Sequence, residues 1–193
     1  GLALGGGCEI LLAADAVQAH AESYIGLVEA GVGVVPAWGG CKELLARYAR
    51  DPKRPKGPMP PVAAAFETIG LAKVAKSAFE AKELGFLRAT DRVTFNRERL
   101  LADAKKRALE LAEAYQPPEP AELFLPGPSG KASLAFALRD LYAKGVATEH
   151  DMVVATELAE VLTGGPKADF TEPMSEDAIL KMERAAFMRL VKT

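Results

Sequence analysis

Cysteine, histidine and tryptophan are scarce in this 193-residue chain, which holds two, two and one of them. The two thiols, Cys8 and Cys41, are too few for a disulfide framework and lack the spacing of a metal site. No metal is therefore assigned, and a reducing compartment, the cytoplasm, is the default expectation. His20 stands alone in an Ala/Glu context with no partner for metal or triad chemistry, and His150 reads as a surface residue. Long apolar runs are missing as well: none approaches the roughly 18 residues that a membrane span requires, and no secretory signal is visible. Charge of one sign is also lacking. A net charge of -2 offers no electrostatic attraction to nucleic acid or to an anionic membrane.

What is present is ordinary in bulk, with 49% apolar and 26% charged residues, as in a globular protein of one to one and a half domains. The informative stretch is the opening GLALGGGCEILLAADA. Gly5, Gly6 and Gly7 precede Cys8, a lone acid Glu9, and the apolar run from Ile10 to Ala14. That run reads as a buried helix, with the glycines at its start. A helix start leaves N–H groups without carbonyl partners and carries partial positive charge, which suits a developing oxyanion. Glu9, in the first turn, is expected as the carboxylate. These residues alone allow two readings: a Gly-rich turn capping a core helix, or one half of an active site. The first residue is glycine inside this motif, so the chain is expected to be a piece of something longer.

Farther along, 15–19 and 23–28 read as brief strands, and 29–40 as a glycine-punctuated loop. Helical spacing recurs from Gly39 to Tyr48 and from Val62 to Ala75, with an exposed proline-rich loop from Asp51 to Pro61 between them. Ser77 with Glu80 forms a capping-box pattern, and Gly85 a helix stop. Segments 86–88 and 92–95 read as extended. Asn96 opens a helix toward Tyr115. Residues 117–130 hold most of the remaining Pro and Gly and read as a linker. The organisation expected is thus 1–116, a linker at 117–130, and a helical region at 131–193. In that last region Thr148 with Asp151 and Ser175 open helices, and Gly145 and Gly164-Gly165 end them.

A second acid, Glu29, precedes the second Gly-rich loop, and a short helix followed by a short strand can bring it back toward Glu9. Residues 1–48, with the glycine-rich helix start and its acid, the second acid and the G-x-G-x-x-P…G-G loop, resemble the second half of a crotonase (enoyl-CoA hydratase/isomerase) domain. Phe66-Glu67-Thr68-Ile69, Ala81 to Gly85, Leu100 to Ala104 and Glu183 to Phe187 resemble one branch of that superfamily. In that branch, of β-oxidation proteins, a 3-hydroxyacyl-CoA dehydrogenase part precedes the crotonase part. The resemblance implies an α/β parent with the spiral ββα fold, of which this chain is a mostly helical portion with a few short strands. It implies that Gly6 supplies an oxyanion-hole N–H, Glu9 activates water and Glu29 delivers a proton. It also implies an acyl-CoA thioester substrate, no cofactor held by this portion, NAD only in the dehydrogenase part, and a homo-oligomer. The alternatives are an enoyl-CoA isomerase, which manages with one acid, and a non-catalytic assembly module. Val28 stands where the family commonly has proline, and Trp38 is a bulky departure in the loop after Glu29.

Overall fold

Two pairs of very short parallel strands organise the N-terminal part of the chain. In the computed structural model, which describes residues 1–192, β1 (Leu2–Leu4) pairs with β3 (Tyr24–Gly26), and β2 (Gln18–His20) pairs with β4 (Arg92–Thr94). Parallel partners need a crossover. For β1 and β3 it is supplied by α1 (Gly6–Ala13) and β2. Strands this brief cannot hold together alone, so helices cover them: α2 (Gly40–Arg50), α3 (Met59–Gly70), α4 (Ala78–Glu83) and α5 (Leu100–Ala112). The chain closes with α6 (Gly127–Ala143), α7 (Glu149–Thr163) and α8 (Glu176–Leu190), and a small antiparallel pair, β5 (Leu123–Phe124) with β6 (Pro173–Met174). The expected mixture, mostly helix with a few short strands, is what forms.

One apolar core runs through these elements. Leu12 of α1, Ile25 of β3, Leu44 of α2, Ile69 of α3, Leu158 of α7 and Ile179 of α8 are all fully buried within it. Arg47 fastens α1 to this core: its guanidinium donates to the Leu12 carbonyl at 2.8 Å and the Phe86 carbonyl at 3.0 Å. Asp91 does the same at the start of β2 and before β4, accepting from Val17 N–H at 2.9 Å and Arg88 N–H at 2.6 Å.

Several sequence expectations shift. The helix expected to reach Ala75 stops at Gly70, and Ala72 adopts φ +47°. The cause is tertiary: the chain turns back so that Ala75 can exchange hydrogen bonds with Ile25, at 2.8 and 3.0 Å, along the edge of β3. Ser77 caps α4 as expected, but Glu80 reaches the Lys76 N–H instead of completing the box on Ser77. Segment 86–88 forms no strand. Residues 117–130, expected as a linker, hold β5, the buried Leu123 and Leu125, and the first turn of α6, where Pro128 is tolerated because its missing N–H has no helical partner. Asn96 caps a 3-10 turn at Arg97–Arg99 that leads into α5. Around α7 the local signals hold in full, with a reciprocal Thr148/Asp151 capping box at one end and left-handed Gly164 and Gly165 at the other.

Gly26 marks the tightest point of the strand layer. A Cβ there would lie 2.5 Å from the Lys73 carbonyl oxygen and 3.1 Å from the Val74 Cα, both backbone atoms. Gly26→Ala must therefore push the returning 73–75 segment away from β3, and overpacking of this kind costs about 1–3 kcal/mol. Urea denaturation should show a midpoint lowered to match, with an unchanged m-value.

Candidate active site

Gly5 caps α1 at φ 54° and ψ -127°, a conformation open to glycine, and donates its N–H to the Gly26 carbonyl at 2.9 Å. The helix therefore starts at the C-terminal end of β3. The amides of Gly6 and Gly7, at its first two positions, find no carbonyl within the described residues, as helix geometry dictates. Both glycines are exposed, so those N–H groups face an open region.

Glu29 begins a 3-10 turn, Glu29–Val32, directly after the strand segment. Its Oε1 approaches within 3.4 Å of where a Cβ on Gly5 would stand, which places the carboxyl group beside the start of α1. Its Oε2 is buried and has no hydrogen-bond partner among the described residues. Burial pushes the Glu29 carboxyl up to about 7, the nearby Glu9 charge adds to this, and the backbone amides of Glu29 and Val28 oppose it. Glu9 and Glu29 therefore lie near enough for the charge of Glu9 to act on the Glu29 carboxyl.

Glu9 is almost fully buried, and its support comes from an unexpected direction. It lies in the first turn of α1, yet its Oε1 accepts from Trp38 N–H at 2.8 Å and Gly40 N–H at 2.9 Å, at the start of α2. One carboxylate oxygen is thus clamped by two amides. The Gly39-Gly40 pair makes this possible. Gly39 takes φ +104°, and a Cβ on Gly40 would lie 2.8 Å from Leu27 and Pro36 side-chain atoms and 3.0 Å from Glu9 Oε1.

Glu183, from α8, is the residue of this region that sequence reasoning did not single out. It is fully buried, and its two oxygens accept from Gly39 N–H and Lys42 N–H, each at 2.7 Å. Burial pushes its carboxyl up to about 8 against the pull of those two amides, and the Glu9 charge raises it further. Nothing in the local sequence distinguishes it from the other acids of α8 except its position on the apolar face, four residues after Ile179 and three before Ala186.

Around the site, Trp38 projects its ring into solvent and contributes only its backbone amide. Cys8 lies beneath Glu29 and Glu9 with its thiol pushed up to about 12, chiefly by burial, so it is no nucleophile. His20 donates from Nε2 to the Phe95 carbonyl, 3.0 Å away, and His150 Nε2 lies 3.3 Å from the Gly33 carbonyl, so both tether loops. Among the described residues no helix is long and apolar enough to cross a membrane.

The raised Glu29 carboxyl has a measurable consequence. The folded chain retains that proton to a higher pH than the unfolded chain, so the stability this residue contributes is complete below its usual value of 4.5 and is lost as pH rises through about 7. In Glu29→Gln that loss disappears. Urea midpoints taken at about pH 5 and about pH 8 should fall less between the two for the variant than for the parent chain.

No family model matches the chain. It is 41% identical over 191 residues to the Bacillus subtilis (strain 168) protein named "Probable 3-hydroxyacyl-CoA dehydrogenase", covering 98% of this chain and 24% of that protein. It is 51% identical over 51 residues, 26% of this chain and 7% of the other, to a Rickettsia felis protein named "Putative fatty acid oxidation complex trifunctional enzyme". The chain thus spans about a quarter or less of these curated relatives. Among solved structures it resembles carnitinyl-CoA hydratase from Mycobacterium avium, with a TM-score of 0.52, 20% identity, and coverage of 100% of this chain and 52% of that one. It also resembles enoyl-CoA hydratase from Mycobacterium tuberculosis H37Rv, with a TM-score of 0.52, 18% identity, and coverage of 100% and 61%. The chain thus shares its fold with part of these two hydratases, and in sequence it is similar to about a quarter of a longer protein named for 3-hydroxyacyl-CoA dehydrogenase.

Proposed function

We propose that the chain is the acid-bearing half of an enoyl-CoA hydratase site, within a longer protein that also carries a 3-hydroxyacyl-CoA dehydrogenase part with its NAD. The observation that carries this reading is the unequal environment of two carboxyl groups flanking one helix N-terminus. Glu29 is pushed toward the protonated form, and its buried Oε2 has no partner among the described residues. Glu9 has one oxygen held by two amides. Environments that separate two acids in this way assign the roles of proton donor and proton acceptor.

In the reaction, water adds across the C2=C3 bond of a trans-2-enoyl thioester. Glu9 takes a proton from water as its oxygen bonds to C3. Electron density moves onto the thioester oxygen, which the Gly6 N–H and the positive end of α1 stabilise. Glu29 then gives its proton to C2, forming the 3-hydroxyacyl thioester. The proton gained by Glu9 and lost by Glu29 is restored through solvent. Retention of both acids favours hydration over the isomerase alternative, which needs one. The relatives named for 3-hydroxyacyl-CoA dehydrogenase and fatty acid oxidation support the same reading, because that dehydrogenase consumes the product formed here.

The supporting portion is 1–116, with 131–193 as the helical part that packs on it. Exposed apolar side chains on the open flank of α1, Leu2, Ile10 and Val32, support association with another polypeptide surface, and we take a homo-oligomer as the working form. The cytoplasm is its proposed location.

The test is hydration of crotonyl-CoA, followed as loss of the enoyl-thioester absorbance, in the full-length protein carrying this segment. Glu9→Gln and Glu29→Gln should each lower kcat by about 10²–10⁴-fold. Full rates in both variants would rule the assignment out.

A further inference from the structure

Four amides at the start of α2 point at two buried carboxylates that arrive from opposite ends of the chain. Trp38 and Gly40 donate to Glu9, while Gly39 and Lys42 donate to Glu183. The donors interleave along the backbone, so neither carboxylate can move without turning the peptide planes that hold the other. Resting on the reading of Glu9 as the water-activating acid, we propose that Glu183 is a positioning residue for it, fixing the amides that clamp Glu9 Oε1.

Ordinary helix capping does not account for Glu183. A cap needs one local acceptor, usually Ser, Thr, Asn or Asp at the first position, and such a residue leaves the acceptor partly hydrated. Here the capping position is glycine and carries no side chain. Glu43, the acid in the first turn of α2, is turned to the Lys42 ammonium at 2.5 Å. The acceptor is instead a carboxyl group with no exposed surface, from a helix more than a hundred residues downstream. Burying an acid beside a second acid is costly unless its hydrogen bonds are worth more than the desolvation. What distinguishes this acceptor from a hydrated cap is rigidity: both of its oxygens are used, at 2.7 Å each.

The anchorage of α8 points the same way. Lys42 bridges to Glu176 in the first turn of α8 at 3.0 Å, and Glu176 in turn accepts from Ala121 N–H at 2.7 Å. The helix is thus held along its length with Glu183 directed at residues 39–42. The titratable groups facing Glu183 are Glu9 from α1 and Lys42 and Cys41 from α2, and the Lys42 charge partly offsets the repulsion between the two acids.

Hydrogen exchange of the 193-residue chain separates positioning from simple capping. In Glu183→Gln, one acceptor oxygen becomes an amide NH₂ that cannot receive the N–H formerly facing it. A capping role alone predicts lost protection at Gly39 and Lys42. Positioning predicts that Trp38 and Gly40, which never touch Glu183, also exchange faster by about tenfold or more, while the amides of α6 and α7 keep their rates. Glu183→Asp, which keeps both oxygens but withdraws them by one methylene, should show a smaller loss at the same four amides. Unchanged exchange at Trp38 and Gly40 in either variant overturns the proposal. In the full-length protein, Glu183→Gln should lower kcat for crotonyl-CoA by about 10²-fold with KM little altered, and an unaltered kcat likewise overturns it. If instead Glu9→Gln retains its rate, the hydration reading fails and the exchange result still decides what Glu183 does for Glu9.

Discussion

The start of α2 is where the structure is most constrained. Buried backbone N–H groups cost about 1–3 kcal/mol each when left without an acceptor. Between Trp38 and Lys42 four such donors are placed where solvent reaches them poorly. Side chains from α1 and α8 are recruited to satisfy them, and in doing so they fix three helices relative to one another. Gly40 then has no room for a side chain, and Gly39 must be left-handed. The glycine pair, the two acids and the close approach of Pro36 and Leu27 are consequences of one packing problem.

The same arrangement separates the chemistry of the two acids at α1. Glu29 has a buried carboxyl oxygen with no partner among the described residues, and burial raises its affinity for a proton. Glu9 faces the donors of α2 and is stabilised by them. Each carboxyl group thus has surroundings set by a different element: Glu29 by the tight 3-10 turn that begins with it, Glu9 by the backbone leading into α2, with Trp38 twenty-nine and Gly40 thirty-one residues after it.

Local signals carried much of the architecture. Gly-rich punctuation at 5–7 and 39–40, the Thr148 and Ser175 caps and the glycine stops at 145 and 164–165 are chemistry between neighbours in sequence, and each marks a real helix end. The larger misses are long-range. Residues 71–75 leave their helical pattern because Ile25 needs a partner on its free edge. The Pro- and Gly-bearing stretch before α6 is packed because Ala121 and Leu123 meet the start of α8 and β6. Glu183 is invisible beforehand because an acid on a helix looks solvated until its apolar neighbours are seen to face inward. The family resemblance singled out Glu9, Glu29 and Gly6 as expected site residues by order of motifs, and the geometry adds which backbone amides hold Glu9.

Because the last helix supplies a carboxylate to amides near the first, the start of α2 cannot be completed while the chain is still being made. During synthesis from the N-terminus, β1, α1 and α2 emerge with Gly39 and Lys42 still hydrated, and only the arrival of α8 removes that water. Contacts this distant in sequence form late and slowly. A nascent chain would therefore hold a loosely closed version of the Glu9 region until α8 has emerged and docked.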